Sequence, residues 1–425
     1  MADVLVIGAG VAGMKASLLL ASAGRHVHLV ESSSVIGGRL IRCEDIFPAM
    51  ECATCMVSPM QQDVLRNDLI DLITLGEILS IEGSTGNFKV RIRKHASCVD
   101  PVACIGCAEC WNACPVEISN DFEENLSKRK AISVPCAGAL PNVPWIDREH
   151  CLRWNGDETC TLCSDACVFA AVNYSEKDSD IEIIVSDIIL ATGYQPSSGD
   201  LSEKFQWGIS PGIFTASEFE RYYSSNGPTS GELLTKDGHK PSSAAIIVHP
   251  NGTDNSSRIN TMYSLKFLHY LKEKLPDIRP FVFLDASYSP VTIEDRNHQK
   301  WQTAEADVIL CTQLPEVQAV GDSKTLSISC TTPEGSFQTE AELLVLGTSM
   351  FPSEGTSKFI KLLTLECNDE GFIKRPQPAL SSVTTSVPGV FTAGCAGGPM
   401  DIASSVTEAA AAVGRVLADA NREGK

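Results

Sequence analysis

Short apolar runs rich in β-branched residues recur along the chain, and several of them end directly in glycine-containing turns. The run Asp3 to Ile7 is followed by such a turn, by an apolar stretch of helical length from Met14 to Ala23, and by a second run from His26 to Val30. Similar runs at Ile181 to Ala191 and Val390 to Ala393 also end next to glycine. Strands that alternate with helices in this way predict an α/β protein with parallel sheets.

The first turn has the glycine spacing of a dinucleotide-binding site. Gly8, Gly10 and Gly13 stand between the first predicted strand and helix, and Glu31 ends the second strand. The first glycine permits the tight turn, the second lets the backbone approach a pyrophosphate, and the third lets helix and strand pack closely. We expect the pyrophosphate at the helix N-terminus and ribose hydroxyls hydrogen-bonded to the Glu31 carboxylate.

Later glycine-containing segments narrow the expected dinucleotide to FAD. A Gly-Gly-Arg segment follows Glu31, an Ala-Thr-Gly segment ends the mid-chain strand, and an Ala-Gly pair precedes a small-residue helix from about Ile402 to Asp419. This order resembles the flavoproteins with two dinucleotide-binding domains. The resemblance implies that the last helix points its positive N-terminus at the flavin ring, where it stabilises the reduced form. The further FAD contacts that it implies are Gly38, Arg39, Thr192, Gly193, Gly394, Met400 and Ile402.

The same resemblance implies a second nucleotide-binding domain, but the chain contains only a degenerate version of its turn. Ala244 to Val248 predicts a strand and Ser257 to Glu273 an amphipathic helix. The turn between them, residues 249–253, has one glycine where two or three are needed, and no acidic residue reaches the ribose position before Asp285. A pyrophosphate cannot approach such a backbone closely. We therefore expect residues 241–350 to form a nucleotide-type domain that does not bind NAD(P)H directly.

Eight of the 17 cysteines have the spacing of a bacterial two-cluster ferredoxin. The first half reads Cys104-x2-Cys107-x2-Cys110-x3-Cys114-Pro115, and the second half reads Cys151-x8-Cys160-x2-Cys163-x3-Cys167. In such modules the fourth cysteine of each half crosses to the other cluster. Zinc is the alternative metal, but zinc sites take four ligands in paired C-x2-C units. The expected ligands are Cys104, Cys107, Cys110 and Cys167 for one [4Fe-4S] cluster, and Cys114, Cys151, Cys160 and Cys163 for the other.

Cys43, Cys52 and Cys55 follow the glycine pair and leave two interpretations open. With Cys98 or Cys136 they supply enough thiols for a third cluster near the flavin. The alternative is that they are ordinary or redox-active loop cysteines. We assign no metal ligands among them.

Several motifs resemble the A subunit of heterodisulfide reductase and its homologues. They are Cys52 to Met60, Gly86 to Val90, the cysteine-rich insert, Met262 to Lys266, and Ala393 to Ile402. The resemblance covers nearly the whole chain. It implies an FAD and iron-sulfur subunit that passes electrons within a larger complex, with other redox subunits as partners. Such a subunit needs no catalytic acid, base or nucleophile of its own.

Departures from the methanogen pattern favour an electron relay over electron bifurcation. No cysteine lies between Val248 and Met262, where methanogen subunits carry ligands of a further cluster, and no additional ferredoxin module precedes Lys425. Met400 stands where many relatives place a lysine beside the flavin. The alternative enzyme is an NAD(P)H-dependent flavin oxidoreductase resembling the small subunit of glutamate synthase, which requires an intact second glycine motif. A third alternative is a scaffold whose clusters only stabilise loops.

The expected domain organisation divides the 425 residues into five segments. Residues 1–97, 173–240 and 351–425 form the FAD-binding domain, residues 98–172 the inserted ferredoxin-like module, and residues 241–350 the nucleotide-type domain. The architecture is thus that of an α/β flavoprotein with two Rossmann-type domains and a two-cluster insert.

Charge and hydropathy exclude two classes of partner. The chain has 34 Lys and Arg against 53 Asp and Glu, a net charge of −19, which repels nucleic acid. No apolar stretch reaches the length of a membrane span, and no signal segment is evident at the N-terminus. We therefore expect a cytoplasmic protein that binds no nucleic acid and does not insert directly into a membrane.

Overall fold

A computed structural model describes residues 2–197, 201–251, 255–287, 306–320, 324–377 and 381–423. The chain folds into two compact units. The first comprises Met1–Arg42, Ala53–Tyr194 and Pro352–Lys425, and the second comprises Cys43–Cys52 and Gln195–Phe351. Residues 195–240 thus group with the second unit, whereas the sequence places them in the FAD-binding domain.

The first unit is built on a five-stranded parallel sheet. Its strands lie in the order Val390–Thr392, Asp187–Leu190, Val4–Ile7, Val27–Val30 and Ile70–Ile73. The three central strands are buried along their whole length, which explains their continuous apolar sequences. The helices of this unit outside the insert are Val11–Ser22, Ala53–Leu65, Glu354–Leu362 and Ile402–Glu423. The first and last of these helices pack against each other.

A three-stranded antiparallel sheet covers part of the parallel sheet. Its strands lie in the order Ser179–Val185, Asn87–Lys94 and Gly76–Ser84. Phe88 and Val90 pack from this sheet against Leu5 and Val30 of the parallel sheet in one apolar core.

The predicted single strand from Ile181 to Ala191 is two strands in two different sheets. Ser179–Val185 pairs antiparallel with Asn87–Lys94, and Asp187–Leu190 pairs parallel with Val4–Ile7. The chain changes sheet at Ser186, whose N–H donates to Asp3 O at 2.8 Å. The sequence signal for this division is a change of pattern. The first strand contains exposed polar Glu182, whereas the second strand is fully buried.

Residues 98–172 form an insert between two paired strands of the antiparallel sheet. An antiparallel bridge between Val99 and Val172 closes the base of the insert. Its elements are short, with helices Glu109–Ala113 and Leu162–Asp165 and strands Glu117–Ser119, Lys128–Lys130, Ile132–Ser133 and Trp145–Ile146. Cysteines make up much of its buried core.

The second unit repeats the order of four parallel strands of the first, while its edge strand Ile213–Thr215 comes first in its sheet along the chain and the corresponding Val390–Thr392 comes last. Its parallel sheet has the order Ile213–Thr215, Leu343–Leu346, Ala244–Ile247, Phe281–Asp285 and Asp307–Cys311. Its antiparallel sheet consists of Glu316–Val320, Thr325–Thr332 and Gly335–Ala341. Its helices among the described residues are Leu201–Phe205, Ala216–Tyr222 and Ser257–Lys274. Further short strands in the described ranges are Asp45–Ile46, Glu51–Cys52, Tyr194–Ser197 and Ser349–Pro352.

Residues 43–52 leave the first unit and join the second through a buried charge cluster. Lys266 forms an ion pair with Glu220 at 2.6 Å and donates to the Asp45 carbonyl at 2.9 Å. Glu220 also accepts a hydrogen bond from the Glu44 N–H at 2.8 Å. Lys266 and Glu220 are both almost fully buried, so these bonds fix the excursion in place. Within the described part of the chain, every helix is too short or too polar to span a bilayer.

Candidate functional site

The glycine turn after the first strand leaves no room for side chains at two of its positions. A Cβ at Gly8, whose φ is +100°, would lie 2.3 Å from the Ala191 carbonyl oxygen. A Cβ at Gly13 would lie 1.8 Å from the Gly8 carbonyl oxygen. Gly10 begins the helix Val11–Ser22 without a side-chain cap, so the first-turn N–H groups are available to an anion.

Glu31 is held directly under this turn. One carboxylate oxygen accepts from the Ala9 N–H at 2.8 Å, and the other accepts from the Ser33 N–H at 2.9 Å. The carboxylate that the sequence assigns to ribose binding is therefore fixed next to the turn. Its remaining lone pairs can accept hydroxyl hydrogen bonds.

The Gly37-Gly38-Arg39 segment packs backbone to backbone against the glycine turn. Gly37 donates to the Ala9 carbonyl at 2.8 Å, and a Cβ at Gly38 would come within 2.8 Å of the Gly10 Cα. The Arg39 guanidinium lies 5.3 Å from the centre of the Tyr194 ring. These contacts bring two predicted FAD segments to the carboxyl ends of the parallel strands.

Thr192 and Gly193 end the neighbouring parallel strand. The Thr192 hydroxyl forms a 2.5 Å hydrogen bond with that of Thr356, and the Thr192 carbonyl accepts from the Ser353 hydroxyl at 2.9 Å. Thr192 thus supports the N-terminus of the helix Glu354–Leu362. Gly193 has a φ of +71° and open space where a side chain would stand, so a ligand can approach its backbone.

The last strand brings Gly394, Met400 and Ile402 to the same unit. Gly394 has a φ of +65°, and a Cβ there would lie 2.9 Å from the Ala12 Cβ on the first helix. The predicted last helix begins at Ile402, and the Asp401 carboxylate accepts from the Ser404 N–H at 2.7 Å. Asp401 therefore caps this helix, a role indicated by an aspartate immediately before an apolar periodic run.

A buried carboxylate on the last helix was not predicted from the sequence. Glu408 lies 3.0 Å from the Arg375 guanidinium. Burial raises the pKa of Glu408 to about 7, although Arg375 and the Gly394 N–H favour its charged form. Gly397 makes room for the arginine, because a Cβ there would lie 2.4 Å from the Arg375 Nη2. The last helix therefore contains a group that titrates near neutral pH.

The eight cysteines of the insert form two groups of four. One cavity is lined by Cys104, Cys107, Cys110 and Cys167, and a second by Cys114, Cys151, Cys160 and Cys163. These are the two sets that the spacing predicts, including the exchange of Cys114 and Cys167 between halves.

The width of these groups fits a multi-iron cluster better than a single zinc ion. A tetrahedral zinc site holds its sulfur ligands about 3.8 Å apart. Among the residues that the structure describes, no three cysteine sulfurs lie within 4.8 Å of one another. Four thiols around a common cavity at wider separation suit a [4Fe-4S] cluster.

The surroundings of the cysteine sulfurs are also those of a metal centre. Cys104 and Cys167 accept from the N–H groups of Gly106 and Ala171 at 3.4 and 3.3 Å. Burial raises the pKa of Cys110 to about 12. Such a thiol ionises readily only beside positive charge, which bound iron supplies.

The insert is anchored beside the glycine pair of the flavin segment. Ile36, immediately before the pair, donates to the Leu140 carbonyl at 2.8 Å. Arg42, four residues after Gly38, donates to the Phe122 carbonyl at 3.2 Å. Both contacts lie within the first unit, so the insert and the predicted FAD segment are parts of one structure.

The cysteines outside these two groups differ in exposure. Cys98 is fully buried in the insert, where Arg148 donates to its sulfur at 3.3 Å. Cys52 and Cys55 are exposed, and Cys43 is partly buried. The third cluster considered from the sequence stays a hypothesis.

The corresponding turn of the second unit differs in its chemistry. After Ala244–Ile247 the described residues continue through His249 to Asn251, while Gly252 and Thr253 of the predicted turn lie outside the described residues. His249 is buried, with its Nε2 3.3 Å from the Ser257 carbonyl. By strand position His249 corresponds to Ala9, and Pro250 stands where the first unit has Gly10.

Comparison with known proteins agrees with these features. The family model "FAD dependent oxidoreductase" matches residues 3–44. The A subunit of the H2:CoB-CoM heterodisulfide,ferredoxin reductase of Methanothermobacter marburgensis is 32% identical over 97% of this chain. The iron-sulfur A subunit of the CoB-CoM heterodisulfide reductase of Methanocaldococcus jannaschii shows the same identity and coverage. This chain spans 63% of the length of each of these two relatives.

The solved structures show the same fold at low sequence identity. Thioredoxin reductase of T. acidophilum superposes with a TM-score of 0.53, covering 99% of this chain and 98% of its own at 16% identity. This likeness confirms the predicted α/β flavoprotein fold with parallel sheets. Over nearly its whole length, the chain is thus similar in sequence to the A subunits of heterodisulfide reductase, and its fold is that of an α/β flavoprotein.

Proposed function

We propose that this chain is an electron-transfer subunit that carries FAD and two [4Fe-4S] clusters within a larger redox complex of the heterodisulfide reductase type. The observation that supports this proposal most directly is the division of eight cysteines into two groups of four, in an insert anchored beside the FAD segment. Bound FAD supplies the exchange between two-electron and one-electron carriers.

The residues of the first unit divide the binding of FAD among them. The helix that starts after Gly10 would present N–H groups to the pyrophosphate, and Glu31 would accept hydrogen bonds from the ribose. Gly193 leaves the backbone open after its strand, and Gly394 lets its segment pack closely on the first helix. The helix that begins at Ile402 would present its positive end to the flavin ring and favour negative charge there.

Both proposed clusters lie near the surface of the insert. The lining of the group around Cys114 includes buried Ile132 and Ile146 but also Leu162, which is 48% exposed. The group around Cys107 reaches the surface, since Cys107 itself is exposed and Val168 next to Cys167 is 83% exposed. An external carrier can therefore approach the second of these groups, as a relay requires.

Direct reduction by NAD(P)H is not part of the proposal. The turn of the second unit has Pro250 at the position of Gly10, where a dinucleotide needs bare backbone. The partners are proposed to be other redox subunits, because the named relatives are themselves subunits of heterodisulfide reductases.

Cofactor content tests the proposal. Protein purified without oxygen should contain one FAD and about eight irons per chain, because two [4Fe-4S] clusters require that number. Iron analysis and flavin absorbance provide the measurement. A content near four irons contradicts the second cluster, and zinc in place of iron contradicts the relay.

A further inference from the structure

A group of histidines and carboxylates lies at the start of the first unit's parallel sheet, at the opposite end of the strands from the glycine turn. Asp3 precedes the first strand, and His26 and His28 lie before and within the second. Asp71 is paired with His28 on the neighbouring strand. Since residues two apart on a strand share a face, the sheet brings all four side chains together.

Two histidine nitrogens flank one oxygen of Asp3. His26 Nδ1 lies 3.3 Å and His28 Nε2 lies 3.2 Å from Asp3 Oδ2. The three ligand atoms all lie within 4.8 Å of one another, and no other such group occurs in the described residues. A tetrahedral zinc ion with bonds of about 2.0–2.1 Å separates its ligand atoms by about 3.3 Å. Both distances to Asp3 match that separation.

Asp71 is placed to orient both imidazole rings. Its Oδ2 lies 3.5 Å from His26 Nε2 and 3.3 Å from His28 Nδ1, which are the ring nitrogens that do not face Asp3. Metal-bound histidines commonly donate their second N–H to a carboxylate, which fixes the tautomer and the ring direction. Three of the four residues therefore have the arrangement of metal ligands, and Asp71 has that of the carboxylate that orients them.

Burial and hydrogen bonding supply a second observation. His28 is 9% exposed, and His26 Nδ1 is buried without a hydrogen-bond partner although Asp3 is close. Arg25 donates to the Ala2 carbonyl at 3.0 and 2.5 Å and so holds the segment that carries Asp3. A buried ring nitrogen directed at a fixed carboxylate is available for a cation.

We propose that Asp3, His26 and His28 bind one divalent transition-metal ion of the zinc type, with Asp71 as the orienting carboxylate. Two imidazoles and one carboxylate favour such ions over Mg²⁺ or Ca²⁺, which prefer oxygen ligands alone. The site contains no cysteine and is separate in sequence from the FAD and cluster residues. It joins the starts of three neighbouring strands, so its role is to stabilise the first unit.

Zinc retention by the intact holoprotein tests the proposal. Protein containing FAD and iron is incubated with ZnCl2, passed through gel filtration and analysed for zinc, iron and flavin. The parent should retain about one zinc per chain. The His26→Gln/His28→Gln double variant should retain none, with iron and FAD unchanged. Constant iron shows that zinc has not entered the cysteine groups.

A matched control and a milder variant complete the test. His95 lies 2.9 Å from Asp178 and 3.5 Å from Glu77 but has no second histidine, so His95→Gln should retain zinc like the parent. Asp71→Asn should keep the fold and weaken zinc affinity by about tenfold or more. Equal zinc in the parent and the double variant, or none in either, would show that the group is only an ion-pair cluster and would overturn the proposal.

Discussion

The two units share the order of four parallel strands but differ at the turn that follows the central strand. In the first unit the turn residue Gly8 lies against the Ala191 carbonyl, where a Cβ would be 2.3 Å from the oxygen. In the second unit the glycine lies on the neighbouring strand, and the carbonyl that it approaches belongs to the turn strand. Gly347 follows the neighbouring strand, and a Cβ there would lie 2.2 Å from the carbonyl of Val248 in the turn strand.

This difference separates what the fold needs from what a nucleotide needs. Where the chain leaves two adjacent strands, the two backbones pack so closely that one of the residues must be glycine. Either strand can supply that glycine. A pyrophosphate requires the glycines in the turn that leads into the helix. A unit can therefore keep the sheet and lose the site when the glycine stands on the other strand.

The largest expected effect follows if electron transfer is confined to the first unit. Cys107→Ser should remove one cluster, since a serine oxygen is a poorer ligand in a thiolate site. Electron passage from reduced flavin to an external cluster acceptor should fall by at least about 100-fold, while flavin content stays near one.

A buried cysteine of the second unit provides the control for this variant. Cys330→Ser should leave both iron content and electron passage unchanged, because Cys330 lies outside the two cysteine groups. Stopped-flow absorbance measures both variants. Equal rates in Cys107→Ser and the parent would mean that the insert only stabilises the structure.

The next effect compares the two turns directly. Gly10→Ala should lower bound FAD at least about tenfold, because the methyl group occupies the approach of the pyrophosphate. The fold should survive, since this Cβ would lie an ordinary 3.8 Å from the Gly38 Cα. Asn251→Ala at the exposed turn of the second unit should leave FAD unchanged. Flavin released on denaturation gives the amount of FAD bound per chain. Equal losses of FAD in both variants would refute the difference between the turns.

A third prediction concerns what the two turns have in common. Gly8→Ala and Gly347→Ala should each lower the free energy of unfolding by about 2–4 kcal/mol, because both place a methyl group against a carbonyl oxygen. Urea denaturation measures the loss in each variant. A tolerated Gly347→Ala would show that the second unit does not depend on this close approach.

The smallest expected effect is a pH dependence contributed by the first unit alone. Burial raises the pKa of Glu408 to about 7 from an ordinary value of 4.5, so the folded state binds a proton that the unfolded state has released. The resulting contribution to the free energy of unfolding is present at low pH and is lost as the pH rises from about 4.5 to about 7. The melting temperature should decline by a few degrees between pH 5 and pH 8, and the Glu408→Gln variant should show a smaller decline. An identical slope in both proteins would contradict this role.

Local spacing explains why much of the site was predictable from the sequence. The turn at Gly8, Gly10 and Gly13 and the two cysteine runs act through neighbours in the chain, so their pattern is visible without a fold. The helix start at Ile402 is of the same kind. The structure contains the predicted turn, the helix start and the two cysteine groups, and the ligands assigned to them stay predictions.

Features that depend on tertiary pairing were missed. The change of sheet at Ser186 and the excursion fixed by Lys266 are decided by distant partners, not by local periodicity. Asp3, His28 and Asp71 meet only because three strands pair in one register. Helix and strand periods contain no information on such pairings.

The paired strands beneath the insert have a consequence for the evolution of the protein. Lys94 and Ser179 face each other across the antiparallel sheet, and Val99 and Val172 form a second bridge nearer the insert. The 84 residues between Lys94 and Ser179 thus begin and end side by side, like the loop of a hairpin. An ancestral protein can acquire or discard such an insert in a single genetic event, because the sheet on either side keeps its register.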